Sequence, residues 1–334
     1  MTNSQPTKSQ FTNSQPTNTQ FTDPPPGHRS GFVALVGKPN VGKSTLLNRL
    51  LGQKIAPVSP RPQTTRTRLR GILTLHRDQG DPADAQIIFV DTPGIHEPLH
   101  KLGQSMVQAA STAIPDADVV LFMADLETPP TAEDRVIAGL VSRHARRPVV
   151  LALNKVDLLS PDEVDSRAND YLALIKPAVW FTISATRGDN VPQLLEAVIA
   201  RLPEGPRYYP ENEVSDAYLR DIAGEFIRAQ AMTLLRDEVP HALAVTVEQF
   251  KERRADLTYI QAMLIVERAS QKGIVIGKGG RTIKRIGQAA REELEKLLDR
   301  QVYLELRVKV VKNWRRNEAE LRRLGYFLPQ GKSR

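Results

Sequence analysis

Cysteine is absent from all 334 residues. That excludes disulfides, zinc–thiolate sites and cysteine nucleophiles, and it fits a cytosolic compartment better than a secreted one. No uninterrupted apolar run approaches the roughly 18 residues needed to span a bilayer. The N-terminus carries no apolar core of the kind that marks an export signal. What is present is ordinary for a soluble globular chain: 40% hydrophobic and 25% charged residues. The length suits two domains.

The formal charge is +8, and its distribution matters more than its size. Residues 1–206 carry a net +1, whereas residues 207–334 carry a net +7. A basic C-terminal part suggests a polyanion partner, nucleic acid first and an anionic membrane surface second. Charge alone is explained equally well by a solvated basic surface with no partner.

The chain divides by texture. TNSQPTKSQF at 2–11 recurs as TNSQPTNTQF at 12–21. This polar repeat buries too little surface to offset its ordering entropy, so residues 1–30 read as a disordered low-complexity arm. From Gly31 short apolar runs alternate with helical patterns: FVALVG, AQIIFVDTPG, DVVLFMAD, PVVLALNKVD and AVWFTISAT. Such alternation predicts a mostly parallel α/β sheet with helices on both faces over 31–203. Ligands on such sheets bind at the carboxyl ends of the strands, where the polar motifs fall. Residues 204–216 read as a linker, rich in proline and without periodicity. Residues 217–328 read helix, strand, strand, helix, helix, strand, an α+β pattern with a C-terminal helix, and 329–334 are a tail.

GKPNVGKS at 37–44 has P-loop spacing between a strand and a helix. Backbone N–H groups of Gly37, Lys38, Pro39 (through its neighbours), Asn40, Val41 and Gly42 can turn around phosphate oxygens. Lys43 can reach the β- and γ-phosphates, Ser44 can ligate Mg²⁺, and Thr45 continues the helix whose N-terminus faces the phosphates. This motif does not separate ATP from GTP. NKVD at 154–157 does. The Asp157 carboxylate can accept both N1–H and the N2 amine of guanine, and against adenine it would be left unpaired. Asn154 is expected to brace neighbouring loops, and the Lys155 stem to cover the base. Ser184-Ala185 in ISAT is placed to complete the pocket through the Ala185 N–H.

DTPG at 91–94 supplies Asp91 for a water-mediated Mg²⁺ contact, then Thr92 and Pro93, then the Gly94 N–H for the γ-phosphate. In PQTTRTR at 62–68 a threonine should close over the γ-phosphate and Mg²⁺, with Thr65 preferred over Thr64. The catalytic set is therefore Lys43, Thr65 and Gly94.

These four elements resemble translation-factor-related GTPases, specifically the Era branch. The resemblance implies a P-loop GTPase fold, GTP and GDP as substrate and product, Mg²⁺ and two mobile switch segments. Ile95 follows Gly94 where the Ras pattern has a glutamine, and an isoleucine cannot orient the attacking water. Slow intrinsic hydrolysis follows as the expectation. In related GTPases an asparagine at the position of Asn40 helps bind K⁺ beside the phosphates.

GKGG at 277–280 lies in GIVIGKGGRTIKRIG. A GxxG loop between helices clamps a nucleic-acid backbone, because its glycines admit phosphates closely. The candidate RNA-binding residues are Ile276, Gly277, Lys278, Gly279, Gly280, Arg281, Lys284 and Arg285. Ile274, Val275, Ile276 and Ile283 are most simply core residues, though a KH groove uses such side chains to line its base-binding face. The element order is that of a type II KH domain. A G domain followed by such a domain, with VKNWRRNEAELRRLGY behind it, extends the resemblance to the Era family over about 31–328. It implies small-subunit ribosomal RNA near its 3′ end as the ligand, with the small ribosomal subunit as partner of a monomeric chain. It also implies a cytoplasmic location with peripheral contact at the inner membrane. Two other readings stay open: an RNA-binding module with negligible hydrolysis, and a signalling GTPase whose basic domain reads anionic lipid. The second needs positive charge but no glycine clamp.

Overall fold

The computed structural model describes residues 25–59, 61, 66, 69–76, 84–95 and 101–326. The repeated arm up to residue 24, Thr64 and Thr65, and the tail from 327 lie outside these residues.

The first part is a six-stranded sheet. Its strands are β1 (Arg29–Val36), β2 (Leu69–Leu75), β3 (Ala85–Asp91), β4 (Val119–Asp125), β5 (Val149–Asn154) and β6 (Val179–Ile183), in spatial order β2-β3-β1-β4-β5-β6. All neighbours are parallel except β2, which runs antiparallel to β3. The central strands are apolar on both faces because both are covered. Along β1, Val33 and Leu35 enter the cluster under α1 (Lys43–Leu51) and α5 (Val191–Ile199). Ala34 and Val36 enter the opposite cluster, under α2 (Lys101–Asp116), α3 (Ala132–His144) and α4 (Pro161–Leu172). The alternation of strand and helix gave five of these strands. It passed over β2 and α2, a short strand interrupted by Gly71 and a helix poor in charge-pattern cues that carries Pro115 near its end.

The second part packs α6 (Leu219–Leu234), α7 (Ala269–Ile276) and α8 (Arg281–Leu298) on one face of a three-stranded sheet. That sheet is β7 (Ala244–Arg254), β8 (Leu257–Val266) and β9 (Gln301–Val310), with β7 antiparallel and β9 parallel to β8. A short helix, α9 (Glu318–Arg323), follows. The order matches the helix–strand–strand–helix–helix–strand reading.

The segment at 204–216 is not a loose tether. The Gln86 amide donates to Tyr209 O, and its oxygen accepts from Tyr208 and Tyr209 N–H at 2.7 and 2.9 Å. Ile72 N–H donates to Val214 O, and Val214 packs on the first core. The buried Gln86 thus straps the segment to β3, a contact that absence of periodicity could not announce.

The two parts touch directly. Leu102 and Met106 of α2 pack with Ala244, Ile265, Trp314, Leu321 and Tyr326. Arg66 is buried and donates to Leu243 O at 2.6 Å and His241 O at 3.1 Å. Burial pushes its pKa down. Lys54 pairs with Glu293 of α8. Arg143, exposed on α3, donates to Gly139 O of its own helix.

Candidate nucleotide site and nucleic-acid interface

The carboxyl ends of β1, β3, β4, β5 and β6 form one rim, with Asp125 in register with Asn154 and Asn154 with Ile183. The P-loop leaves β1 and enters α1 at Lys43. Gly42 has φ 101°, and a side chain there would collide with the Asn154 amide. Only glycine meets both demands. Val41 sends its side chain into the core, so its contribution to a phosphate is backbone alone. Pro39 and Thr45 are half-buried, and Asn40 is exposed with φ 63°.

The polar side chains at the phosphate end of this rim are bonded to other protein groups. Lys43 Nζ donates to Lys38 O at 2.9 Å and Gly37 O at 3.1 Å. Burial pushes its pKa down to about 8 against the opposing pull of Asp91. Ser44 Oγ donates to Asp91 Oδ2 at 3.0 Å. A hydroxyl and a carboxylate held together are hard oxygen donors, the set that suits Mg²⁺ with phosphate and water completing its shell. No cluster of three or more metal-ligating His, Cys, Asp or Glu occurs among the described residues. Lys38 is drawn aside into a buried pair with Asp134 of α3 at 2.9 Å, which leaves its backbone to the phosphate loop. Asp134 also closes the capping box of α3 with Thr131.

Asn154 is the brace that the sequence suggested. Its Nδ2 donates to Val41 O at 2.7 Å, and its Oδ1 accepts from Ala185 N–H at 2.8 Å. The Ala185 N–H, expected on the base, is therefore given to the brace in this structure. Ser184 Oγ accepts from Arg187 N–H and holds the turn. Lys155 adopts φ 70° and binds Asp125 at 2.6 Å and Glu127 at 3.2 Å. Asp157 sits half-buried on a short 3-10 turn, Val156–Leu158, and its carboxylate has no hydrogen bond or ion pair among the described residues. It is the one acidic group of the base-side loop that is unspent.

Thr92 Oγ1 donates to Leu35 O at 2.6 Å, Pro93 and Gly94 are buried, and Ile95 N–H donates to Gly37 O. DTPG thus lies across the P-loop. Ile95 is 1% exposed and belongs to the core beneath the sheet. Its side chain is packed in that core and carries no polar group that could orient a water.

The GKGG loop differs in kind. Gly277 has φ 74°, and a side chain would strike the Thr282 hydroxyl. Gly279 and Gly280 also have positive φ, and the loop opens into the N-terminus of the 18-residue α8. Lys278, Arg281, Lys284 and Arg285 are all exposed, and none is paired with a carboxylate among the described residues. Of the four apolar residues assigned to the core, Val275 is fully buried and Ile276 and Ile283 are half-buried. Ile274 is not core: it is 51% exposed beside the loop. Its position in an apolar run hid the fact that α7 turns that side chain outward.

Among the described residues no helix is long and apolar enough to cross a membrane.

The 50S ribosome-binding GTPase family matches residues 32–155, and the KH domain family matches 238–315. GTPase Era of Lacticaseibacillus paracasei is 46% identical over 303 residues, covering 90% of this chain and 97% of that protein. Two solved structures superpose along the same 90% and cover 100% of the partner chain. One is an Era variant from Aquifex aeolicus bound to GDP·AlF4⁻, with TM-score 0.83 and 40% identity. The other is Era in complex with MgGDPNP and nucleotides 1506–1542 of 16S ribosomal RNA, with TM-score 0.82 and 41% identity.

Proposed function

The chain belongs to the Era GTPase family, GTP-binding and GTP-hydrolysing proteins with a KH domain, and from that premise we infer how its own residues divide the work. Asp157 reads the guanine edge, the Asn154 brace holds the base-side loop to the P-loop, and Lys43 with the P-loop backbone holds the phosphates. Ser44 ligates Mg²⁺, with Asp91 behind it through water. Mg²⁺ supplies charge neutralisation of the β- and γ-oxygens. Thr65 and Gly94 close on the γ-phosphate. Ile95, seated in the core, leaves water positioning to other groups, so intrinsic turnover is slow. K⁺ held beside Asn40 would add positive charge next to the leaving oxygen. A single-turnover rate that does not fall when Na⁺ replaces K⁺ would remove that step.

The RNA assignment follows the same logic. A relative binds the 3′ region of 16S ribosomal RNA, and the KH part of this chain presents a GxxG loop ringed by four exposed cations with no carboxylate partner among the described residues. That ring of exposed, unneutralised charge around GKGG is the observation that carries the reading: binding and maturation of the small ribosomal subunit through its RNA 3′ end. The link to nucleotide state runs through the segment at 62–68. Arg66 is sunk into the KH part, one residue from Thr65, which must reach the γ-phosphate. Engagement of Thr65 by GTP therefore works on Arg66, and RNA must favour the same state by the same factor. The test is RNA affinity at fixed salt with a non-hydrolysable GTP analogue and with GDP. Much tighter binding with the analogue supports the coupled switch. Equal affinities would leave the two parts uncoupled.

A further inference from the structure

The KH sheet has a second face, turned away from α6, α7 and α8. Residues Ala244, Ile265 and their neighbours at one end of that face are covered by α2 and the segment around Trp314. The other end is open and is built differently. Strand register brings Lys251, Tyr259 and Tyr303 side by side across the three strands. Tyr303 is 60% exposed and stacks on Tyr259 with ring centroids 5.8 Å apart and planes 26° from parallel. The Arg253 guanidinium lies over the other side of Tyr259 at 4.2 Å. The result is a column of cation, ring and ring on a rigid strand triplet, ending in one open aromatic face.

Charge on the same face is one-sided. Lys251 and Arg253 lie beside the tyrosines, Arg307 and Lys309 follow along β9 toward the level of Ile265, and the acid among them, Glu305, is spent. It accepts from the Tyr259 hydroxyl at 2.7 Å and pairs with Arg307 at 2.7 Å. Lys251 and Lys309 are exposed with no carboxylate partner among the described residues. β9 is an edge strand, and lysines alone protect an edge from further pairing. Edge protection explains the cations and leaves the open, backed ring unexplained. Aromatic rings set among cations that follow a backbone are the two parts of a single-strand nucleic-acid platform.

We propose that this open sheet face is a second RNA-binding surface, in which Tyr303 stacks a base, Lys251 and Arg253 hold the flanking phosphates, and Lys309 meets a phosphate farther along the same RNA. It deepens the RNA-binding reading and rests on it. The platform lies on the opposite face of the sheet from the GKGG clamp, which grips about four nucleotides. A short RNA in the clamp cannot reach it, and a longer one passing around β9 can. From Tyr303 to Lys309 the strand runs about 20 Å, enough for several bases.

The test compares the full chain, loaded with a GTP analogue, on two single-stranded RNAs from the small-subunit 3′ end, of about six and about 24 nucleotides. Tyr303→Ala should weaken the longer RNA about tenfold and leave the shorter unchanged, and Tyr303→Phe should bind both like the parent, because stacking needs the ring and not the hydroxyl. Charge reversal of Lys251 and Lys309 together should repeat the loss on the longer RNA without touching the ring. Equal affinity of Tyr303→Ala and parent for the longer RNA overturns the proposal while leaving the clamp intact. A parent that binds neither RNA overturns both readings. Unchanged RNA affinity with weaker capture on purified small subunits, or with loss of self-association in sedimentation, would put a protein on this face instead.

Discussion

The proposed nucleotide rim and the proposed RNA clamp at GKGG are both assigned to phosphates, yet they are built in opposite ways. In the rim, Lys43, Ser44, Asn154, Thr92 and Lys38 are bonded to protein groups and buried or nearly so. Around GKGG, Lys278, Arg281, Lys284 and Arg285 are exposed and have no partner among the described residues. A buried network is worth more than its pairs and fails as a unit. Exposed cations act nearly independently and are screened by salt. The first arrangement gives discrimination between similar small molecules. The second gives affinity for any phosphate backbone and leaves sequence preference to the groove beside it.

The sharpest way to break this contrast is at the one unspent acid of the rim. Asp157→Asn should lower guanine-nucleotide affinity by about 10³-fold or more, because the mutated amide presents a donor where guanine also donates. Xanthosine diphosphate, which carries an acceptor at that edge, should now compete. Displacement of a fluorescent GDP by each nucleotide reads both. A loss below tenfold would mean that this carboxylate does not read the base. RNA affinity of the variant without nucleotide should stay at the parent value.

Removing the brace comes next. Asn154→Ala strands Val41 O and Ala185 N–H in a buried site, at about 1–3 kcal/mol for each. The nucleotide-free protein should lose about 2–4 kcal/mol in urea unfolding, and GDP affinity should fall with it. A variant as stable as the parent would show that the two loops hold each other without Asn154.

How much of this was legible depended on whether a residue's role is local. Strand periodicity, P-loop spacing, NKVD and GKGG are local, and the sequence placed the rim, the brace at Asn154 and the clamp. The ties of Lys38 to Asp134, Gln86 to the strap and Arg66 to the KH part join residues 96, 123 and 177 positions apart. A chain read in windows carries no mark of such pairs. β2 was hidden for a related reason: its partner is β3, and an antiparallel edge strand need not show the fully apolar run of a buried parallel one. The Tyr303 platform was hidden by parity, since three strands must be registered before their outward residues can be seen together.

On the exposed side the larger effect belongs to the clamp itself. Lys278→Asp with Gly279→Asp should weaken RNA binding about 100-fold at moderate salt, by reversing charge where phosphates approach. Gly279 has φ 59°, which aspartate tolerates better than most side chains, and nothing crowds its Cβ position. Folding and GDP affinity should be kept. Retained RNA binding would move the RNA site away from GKGG altogether.

The smallest effect tests the contrast most closely. Lys284→Ala removes one exposed cation, and it should reduce RNA affinity only a few-fold while lowering the slope of log K against log salt by about 0.7. Arg281→Ala should do the same, and the double variant should show the sum, because the two side chains share no partner to redistribute. The rim must behave otherwise. Arg49 donates to Ala185 O at 2.6 Å, on the residue whose N–H Asn154 holds. Arg49→Ala and Asn154→Ala therefore disturb one loop from two sides, and the pair should cost less than the sum of the singles, since the second change acts on a loop already released. Additive losses in the rim would mean that its hydrogen bonds are as independent as the surface cations, and non-additive ones at GKGG would mean that Lys284 and Arg281 grip a single phosphate together.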